Sequence, residues 1–294
     1  MKILNFGSLN IDYTYQVDHF VRPGETEASF SRMTACGGKG LNQSIALAKS
    51  GSHVFHAGAI GKADGGILLD ALKNAGVNTD YVLQLEDTPS GSAFIQVNPE
   101  GENCIVLDGG ANQAITKAYV DEVLSHFVNC DWLVLQNEIS EIPYIIERAH
   151  DIGMTIVLNP SPMNPSVRKM PLGYVDYFLL NEEEAFLLSE NAKDPLQELQ
   201  NRYPNSAIVV TYGSKGSVCV KDGIRTEQAS YPVTAVDTVG AGDTYTGFLI
   251  GSLAEGVDLQ TAMRFASKAS AISVTRKGAS TSIPELKEVL ASLS

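Results

Sequence analysis

Thr234-Ala-Val-Asp-Thr-Val-Gly-Ala-Gly-Asp-Thr-Tyr-Thr-Gly-Phe-Leu-Ile250 is the stretch on which the reading of this chain turns. Alternating apolar residues at its start predict a strand, Gly240-Ala-Gly242 a turn, and the pattern beyond a helix running through Leu253. Such a junction leaves backbone N–H groups unpaired at the positive end of a helix dipole, where an anion is stabilised. Glycines there let the backbone approach the anion without a Cβ. Asp243 is the anomaly, because a carboxylate beside an anion is repelled. Its presence makes sense if it takes a proton from a hydroxyl that attacks the anion. The alternative is that Asp243 only caps the helix.

A second glycine cluster opens another helix, in Cys36-Gly-Gly-Lys-Gly-Leu-Asn-Gln-Ser-Ile-Ala-Leu-Ala-Lys-Ser-Gly51. It is not a Walker A loop, since Gly-Lys is followed by Gly40 rather than Ser or Thr. Lys39 and Asn42 stand one helical turn apart and can face a polyhydroxyl ligand together. A solvated lysine is the bland reading of Lys39.

Between these motifs helix and strand alternate. Strands are expected at Lys2–Ser8, Val54–Ile60, Trp132–Leu135, Thr155–Leu158, Tyr177–Leu180, Ala207–Thr211 and Gly216–Val220, with helices between most of them. That is the rhythm of a doubly wound, mostly parallel α/β sheet flanked by helices. Several strands end in polar tips: Asn10-Ile-Asp12, Gln136-Asn-Glu138, Asn159-Pro-Ser161, Asn181-Glu-Glu-Glu184 and Thr211-Tyr-Gly-Ser-Lys-Gly216. In a parallel sheet such tips converge on one edge, where ligands bind. Two segments break the rhythm. Asp12 to Met33 around Arg22-Pro-Gly-Glu25, and Ser92 to Leu107 around Asn98-Pro-Glu-Gly-Glu-Asn103, read as β-hairpins.

The 294 residues can bury a large core, and 44% hydrophobic with 19% charged content is that of a globular chain. A net charge of −13 disfavours nucleic acid or an anionic membrane as partner. No stretch reaches membrane-spanning length and the N-terminal apolar run is too short for a signal peptide. Four scattered cysteines read as reduced thiols, so a cytoplasmic location is expected. His53 and His56 differ in strand parity and are poor partners for one metal. His-Glu-x-x-His and Gly-x-Ser-x-Gly are both absent, leaving zinc hydrolysis and serine esterase chemistry unsupported.

Gly37-Gly-Lys-Gly-Leu-Asn42 paired with Asp237-Thr-Val-Gly-Ala-Gly-Asp243 resembles the two sequence motifs of the ribokinase family of carbohydrate kinases. Further similarity to its ribose-phosphorylating branch lies in Gly7-Ser-Leu-Asn-Ile-Asp12, Arg22-Pro-Gly-Glu-Thr26, Gly109-Gly-Ala-Asn112, Asn159-Pro-Ser-Pro162 and Val274-Thr-Arg-Lys-Gly-Ala279. The resemblance implies one α/β domain over residues 1–294, with a small β-sheet lid from insertions at about 12–33 and 88–108. It implies ATP-dependent phosphorylation of D-ribose on its 5-hydroxyl, with Asp243 as base and the N–H groups of Gly240, Ala241 and Gly242 as anion hole. Asn10, Asp12, Gly38, Lys39, Asn42 and Glu138 would bind the sugar. Thr211, Gly213, Ser214, Gly216 and Ser267 would line the ATP site. Asn181 and Glu184 would help place Mg2+, and K+ would sit among Asp237, Val239, Ser273, Arg276, Gly278 and Ser282. A homodimer through the lid is implied too. Other readings are a kinase of the same family for 2-deoxyribose, fructose or a nucleoside, and a non-catalytic sugar-binding regulator. The absence of Lys and Arg between Lys73 and Lys117 speaks against a sugar phosphate as acceptor.

Overall fold

The computed structural model describes residues 1–293. In chain order the elements are β1 (Ile3–Phe6), β2 (Asn10–Gln16), β3 (Ser31–Gly37), α1 (Lys39–Lys49), β4 (Val54–Gly61), α2 (Gly66–Asn74), β5 (Asn78–Leu85), β6 (Gly91–Val97) and β7 (Asn103–Asp108). Then come α3 (Lys117–Leu124), β8 (Trp132–Gln136), α4 (Ile142–Ile152), β9 (Thr155–Asn159), β10 (Tyr177–Asn181), α5 (Glu182–Leu188), α6 (Pro195–Arg202) and β11 (Ala207–Thr211). The chain closes with β12 (Ser217–Lys221), β13 (Ile224–Gln228), α7 (Ala241–Ala254), α8 (Leu259–Ser273) and α9 (Leu286–Ala291).

Nine strands form one sheet in the order β13-β12-β11-β10-β9-β8-β1-β4-β5, parallel from β11 to β5 with antiparallel pairing at β12 and β13. Its strands are apolar on both faces because helices cover both. Ile3, Trp132, Val134, Ala207 and Val209 enter one core cluster with α1, α7 and α8. Leu4, Phe6, Leu133, Leu135, Ile208 and Val210 enter the other with α3 and α4. The expected doubly wound fold is therefore the observed one.

The two expected hairpins are present and join. β2 pairs antiparallel with β3 and β6 with β7, while β2 and β6 run parallel, giving a separate sheet in the order β3-β2-β6-β7. Neither hairpin would be stable alone, and their union supplies the missing partner edge. Asn10↔Gly37 and Asn10↔Gly91 pairing fixes the foot of this small sheet at the end of β1.

One expected strand is not there. Residues 229–240 approach α7 without joining a sheet, and the N–H groups of Val236 and Asp237 bond instead to the Val274 carbonyl at the end of α8. The segment's valines, Val233, Val236 and Val239, recur every third residue rather than every second, and all three are exposed. With no second face to bury, it has no reason to pair. The antiparallel edge is taken by β13, whose sequence Ile-Arg-Thr-Glu-Gln228 carries too weak a pattern to be seen.

Candidate active site

The polar tips meet as the parallel register requires. Gln136 stands beside Asn159, and Asn181 beside Thr211, on adjacent strand ends. Facing them is the first turn of α7, entered through Gly240 at φ 74°, a left-handed conformation that glycine adopts without strain. An added Cβ at Gly240 would also lie 3.0 Å from that of Ala279. Among the described residues the amides of Gly240 and Gly242 find no acceptor, whereas that of Ala241 makes a long bond to the Thr238 carbonyl, 3.3 Å. The loop thus offers unpaired N–H groups at a helix N-terminus.

Asp243 does not cap α7. The cap residue is Gly240, without a side-chain bond, and the buried Asp243 carboxylate turns across to α1. Its Oδ2 accepts from Asn42 Nδ2 at 3.0 Å and its Oδ1 from Gln43 Nε2 at 2.9 Å. Helices α1 and α7 come this close because Gly247, one turn after Asp243, lies directly against Ala46, and Gly251, a further turn on, against Ser50. Gln43 is held by Gln136 Nε2 at 2.7 Å and also donates to Asn159 Oδ1 at 3.1 Å. Gln136 belongs to a polar strand tip marked in the sequence, whereas Gln43 does not stand out there. The available signal is that Gln43 lies in an otherwise apolar helix run just after Asn42, where a buried amide needs a polar partner.

The residues expected around a sugar gather at the start of α1. Gly38, at φ 92°, lets the chain turn from β3 into α1. Glu138 accepts from the Ser8 hydroxyl and from the Lys39 amide, 2.9 Å, so it ties β8, β1 and α1 together. Burial raises its pKa against the opposing pull of the Ser8 bond and Lys39. Burial works against the charge on Lys39, but Asp243, Glu138 and Glu184 outweigh it and hold the ammonium above its usual range. Asp12 lies on β2 with Asn10, on the same face, and burial followed by the charge of Glu138 pushes it up to about 6. Asn10 Oδ1 accepts from Asn112 Nδ2 at 2.7 Å, which leaves the Asn10 NH2 group turned outward as a donor. Asn42 Oδ1 is buried with no hydrogen-bond partner among the described residues.

Two cavities open on either side of the Gly240–Gly242 turn. One, of about 330 Å³, is lined by Lys39, Asn159, Asn181, Glu184, Gly240, Gly242 and Asp243 among others. The other, of about 540 Å³, contains Thr211, Gly213, Ser214, Gly216 and Ser267, the five residues expected to line the nucleotide site. The apolar residues Pro232, Val233, Ala235 and Ala271 complete its wall, together with Tyr231, whose ring carries the Lys268 ammonium 4.5 Å from its centroid. Sequence reasoning missed this wall because an irregular segment builds it. Asn181 and Glu184 form a capping box on α5, with Glu184 N donating to Asn181 Oδ1 at 2.8 Å and Asn181 N to Glu184 Oε2 at 3.0 Å. The other Glu184 oxygen remains for a ligand.

Of the six residues expected at a monovalent cation, five fall on two adjoining loops and Ser273 is the last residue of α8. Asp237 Oδ1 accepts from Val239 N at 3.0 Å and Oδ2 from Gly278 N at 2.9 Å, which fastens one loop to the other. Arg276 N donates to the Ser273 carbonyl, Arg276 Nη1 reaches the Ser282 carbonyl at 3.5 Å, and its guanidinium pairs with Glu288.

A buried carboxylate beside unpaired amides at a helix N-terminus, with a large cavity adjoining, is an arrangement suited to phosphoryl transfer. The sequence profile described as pfkB family carbohydrate kinase matches residues 1–286, and the chain belongs to that family. It is similar to a ribokinase of Bacillus subtilis (strain 168), 36% identical over 291 residues and covering 98% of each chain. The ribokinase of Cryptococcus neoformans var. grubii serotype A in complex with ADP superimposes with a TM-score of 0.88 at 32% identity, over 99% of each chain. The Arabidopsis thaliana ribokinase complexed with ribose and ATP does so with a TM-score of 0.89 at 28% identity, over 99% of this chain and 98% of that one. The chain is thus a carbohydrate kinase, and the non-catalytic alternative falls away.

Proposed function

We propose that the protein transfers the γ-phosphoryl group of ATP to the primary 5-hydroxyl of D-ribose, giving D-ribose 5-phosphate. The observation that carries this reading is the Asp243 carboxylate, buried at the first turn of α7 beside the Gly240–Gly242 amides and held by two amide donors from α1. Asp243 takes the proton of the attacking hydroxyl as its oxygen bonds to the γ-phosphorus and the bond from that phosphorus to the bridging oxygen breaks, releasing ADP, while the unpaired amides stabilise charge on the transferring group. Asn10 offers N–H donors and Asp12 acceptors from one face of β2, a set suited to the vicinal 2- and 3-hydroxyls of ribose. The orphan Asn42 Oδ1 is left for a ligand hydroxyl. Lys39 faces the sugar and the phosphoryl group, and the free oxygen of Glu138 faces the anomeric end.

Nucleotide binds along Thr211, Gly213, Ser214, Gly216 and Ser267, with Asn181 at the phosphate end. Mg2+ supplies charge neutralisation on the phosphates, and the free Glu184 oxygen is a hard donor suited to hold it through water. The carbonyls and Asp237 of the two tied segments would suit K+, whose charge would help order the Gly240–Gly242 turn. The β3-β2-β6-β7 sheet serves as a lid on a single α/β domain, the enzyme is cytoplasmic, and its partners are small molecules and a second copy.

A substrate panel with purified enzyme and MgATP tests the reading. Ribose should exceed 2-deoxyribose by roughly 1–3 kcal/mol in transition-state binding, about 5- to 150-fold in kcat/KM, because the Asn10–Asp12 pair is left unsatisfied by the missing hydroxyl. A higher kcat/KM for 2-deoxyribose, fructose or a nucleoside would remove ribose and leave the kinase chemistry. Asp243→Asn should bind ATP and turn over orders of magnitude more slowly.

A further inference from the structure

We infer that Gln43, held in turn by Gln136, is a positioning residue that fixes the Asp243 carboxylate for proton abstraction; this rests on the reading of Asp243 as the base. Gln43 is fully buried and Gln136 nearly so, and neither lines either of the two cavities beside the Gly240–Gly242 turn. A buried amide pair beneath a reacting carboxylate has no part in binding ligand, so its role must be sought in what it holds.

The backbone sets the polarity of this network at both ends. The Leu179 carbonyl can only accept, so Asn159 turns its NH2 group to it at 2.8 Å and its oxygen toward Gln43. Asp243 Oδ1 and Asn159 Oδ1, both acceptors, therefore converge on one end of Gln43, and that end must be the NH2 group. Its oxygen then faces Gln136 Nε2, whose second hydrogen goes to Asn5 Oδ1 at 2.9 Å. Asn5 is anchored by donating to the Gly40 carbonyl at 2.7 Å and to Ser44 Oγ at 2.8 Å. No amide in the series can flip alone without setting two oxygens face to face. Gln136 even leaves its own buried Oε1 unpartnered, so it is kept there as a donor.

With Asn42 on Oδ2 and Gln43 on Oδ1, the carboxylate plane cannot turn. Asn42 stands beside the expected ligand, whereas Gln43 reaches Asp243 from beneath. Loss of Gln43 should therefore appear in kcat and spare the affinities.

Gln43→Leu and Gln43→Glu are made in the wild-type and Asp243→Asn backgrounds, and ribose kinetics with MgATP are read beside ATP affinity by calorimetry. Gln43→Leu is expected to lower kcat on the order of 10²-fold, the effect of misplacing a reacting group by about 1 Å. KM for ribose and the ATP Kd should stay near wild type. In the Asp243→Asn background the same change should bring no further loss, and Gln136→Leu should reproduce the first result. The isosteric Gln43→Glu, which lacks the N–H donor, decides the matter if Gln43→Leu does not fold. Near-normal kcat for Gln43→Leu beside a crippled Asp243→Asn would overturn the positioning role alone, as would equal losses in both backgrounds or a rise confined to KM. An active Asp243→Asn would instead remove the base, and the inference with it.

Discussion

Gly247→Ala is a single-methyl change that should loosen the active site from more than one turn away. The added Cβ would press on the Ala46 methyl and lie 2.7 Å from both the Ala46 carbonyl carbon and the Leu47 nitrogen. Ordinary carbon contacts begin at about 3.5 Å, so α1 and α7 must part by nearly 1 Å at this level. Backbone atoms are in the way, so no rotamer change can relieve the contact. Overpacking of this kind costs about 1–3 kcal/mol, which at roughly 2 °C per kcal/mol predicts a fall in Tm of about 2–6 °C. The functional effect should be larger. Asp243 lies one turn away, and its bonds to Asn42 and Gln43, 3.0 and 2.9 Å, would stretch past hydrogen-bonding range if the separation carried through. A displacement of that size costs on the order of 10²-fold in kcat. Calorimetric melting with steady-state kinetics on one preparation checks both numbers. Full kcat at an unchanged Tm would refute the claim that this close contact sets the position of Asp243.

With a pKa of about 6, Asp12 is neutral below that pH, so kcat/KM for the sugar should fall as pH drops through 6, and Asp12→Asn should remove that limb from the pH profile. Because the native state keeps this proton longer than the unfolded chain, whose value is near 3.8, this group makes stability fall rather than rise between about pH 4 and 6; comparing urea melts of wild type and Asp12→Asn across that range isolates it. Activity should be higher in K+ than in a bulky organic cation, and Asp237→Ala should abolish the difference; equal rates in both salts would contradict the cation site. Phe30, Met33, Ile105, Val106 and Leu107 leave apolar surface uncovered on the small sheet, so light scattering should find a dimer that Ile105→Asp and Leu107→Asp dissociate.

Most of the large sheet was legible in the sequence because its strands are covered on both faces. Short Val-, Ile- and Leu-rich runs such as Trp132–Leu135 and Ala207–Val210 have no other way to bury both sides. The hairpins were legible from their turns, yet not their union. Parallel pairing of β2 with β6 joins segments far apart in the chain, and nothing in either segment names its partner. The strand expected before Gly240 shows the opposite failure. Apolar residues signal a strand only where they share a buried face, and Val233, Val236 and Val239, three apart and exposed, share none.

The site divides along the same line. Asp243, Gly240 and Gly242 are legible because glycine and a carboxylate at a helix start are locally odd, and local oddity needs no knowledge of the fold. Lys39 and Asn42 share a helical turn, so their kinship is local too. Gln136 is legible only as part of a polar strand tip and Gln43 not at all: a glutamine's role is hidden until both of its ends are known to be buried. Their orientation depends on the Leu179 and Gly40 carbonyls, which belong to different elements from either glutamine's reacting neighbour. The groups that meet ligand thus announce themselves by residue type, whereas those that hold them are set by three-dimensional closure. If Gln43 governs kcat as argued, the residue that tunes this reaction is one that sequence reading passes over for a physical reason. Its chemistry is ordinary, and only the polarity of the network around it is not.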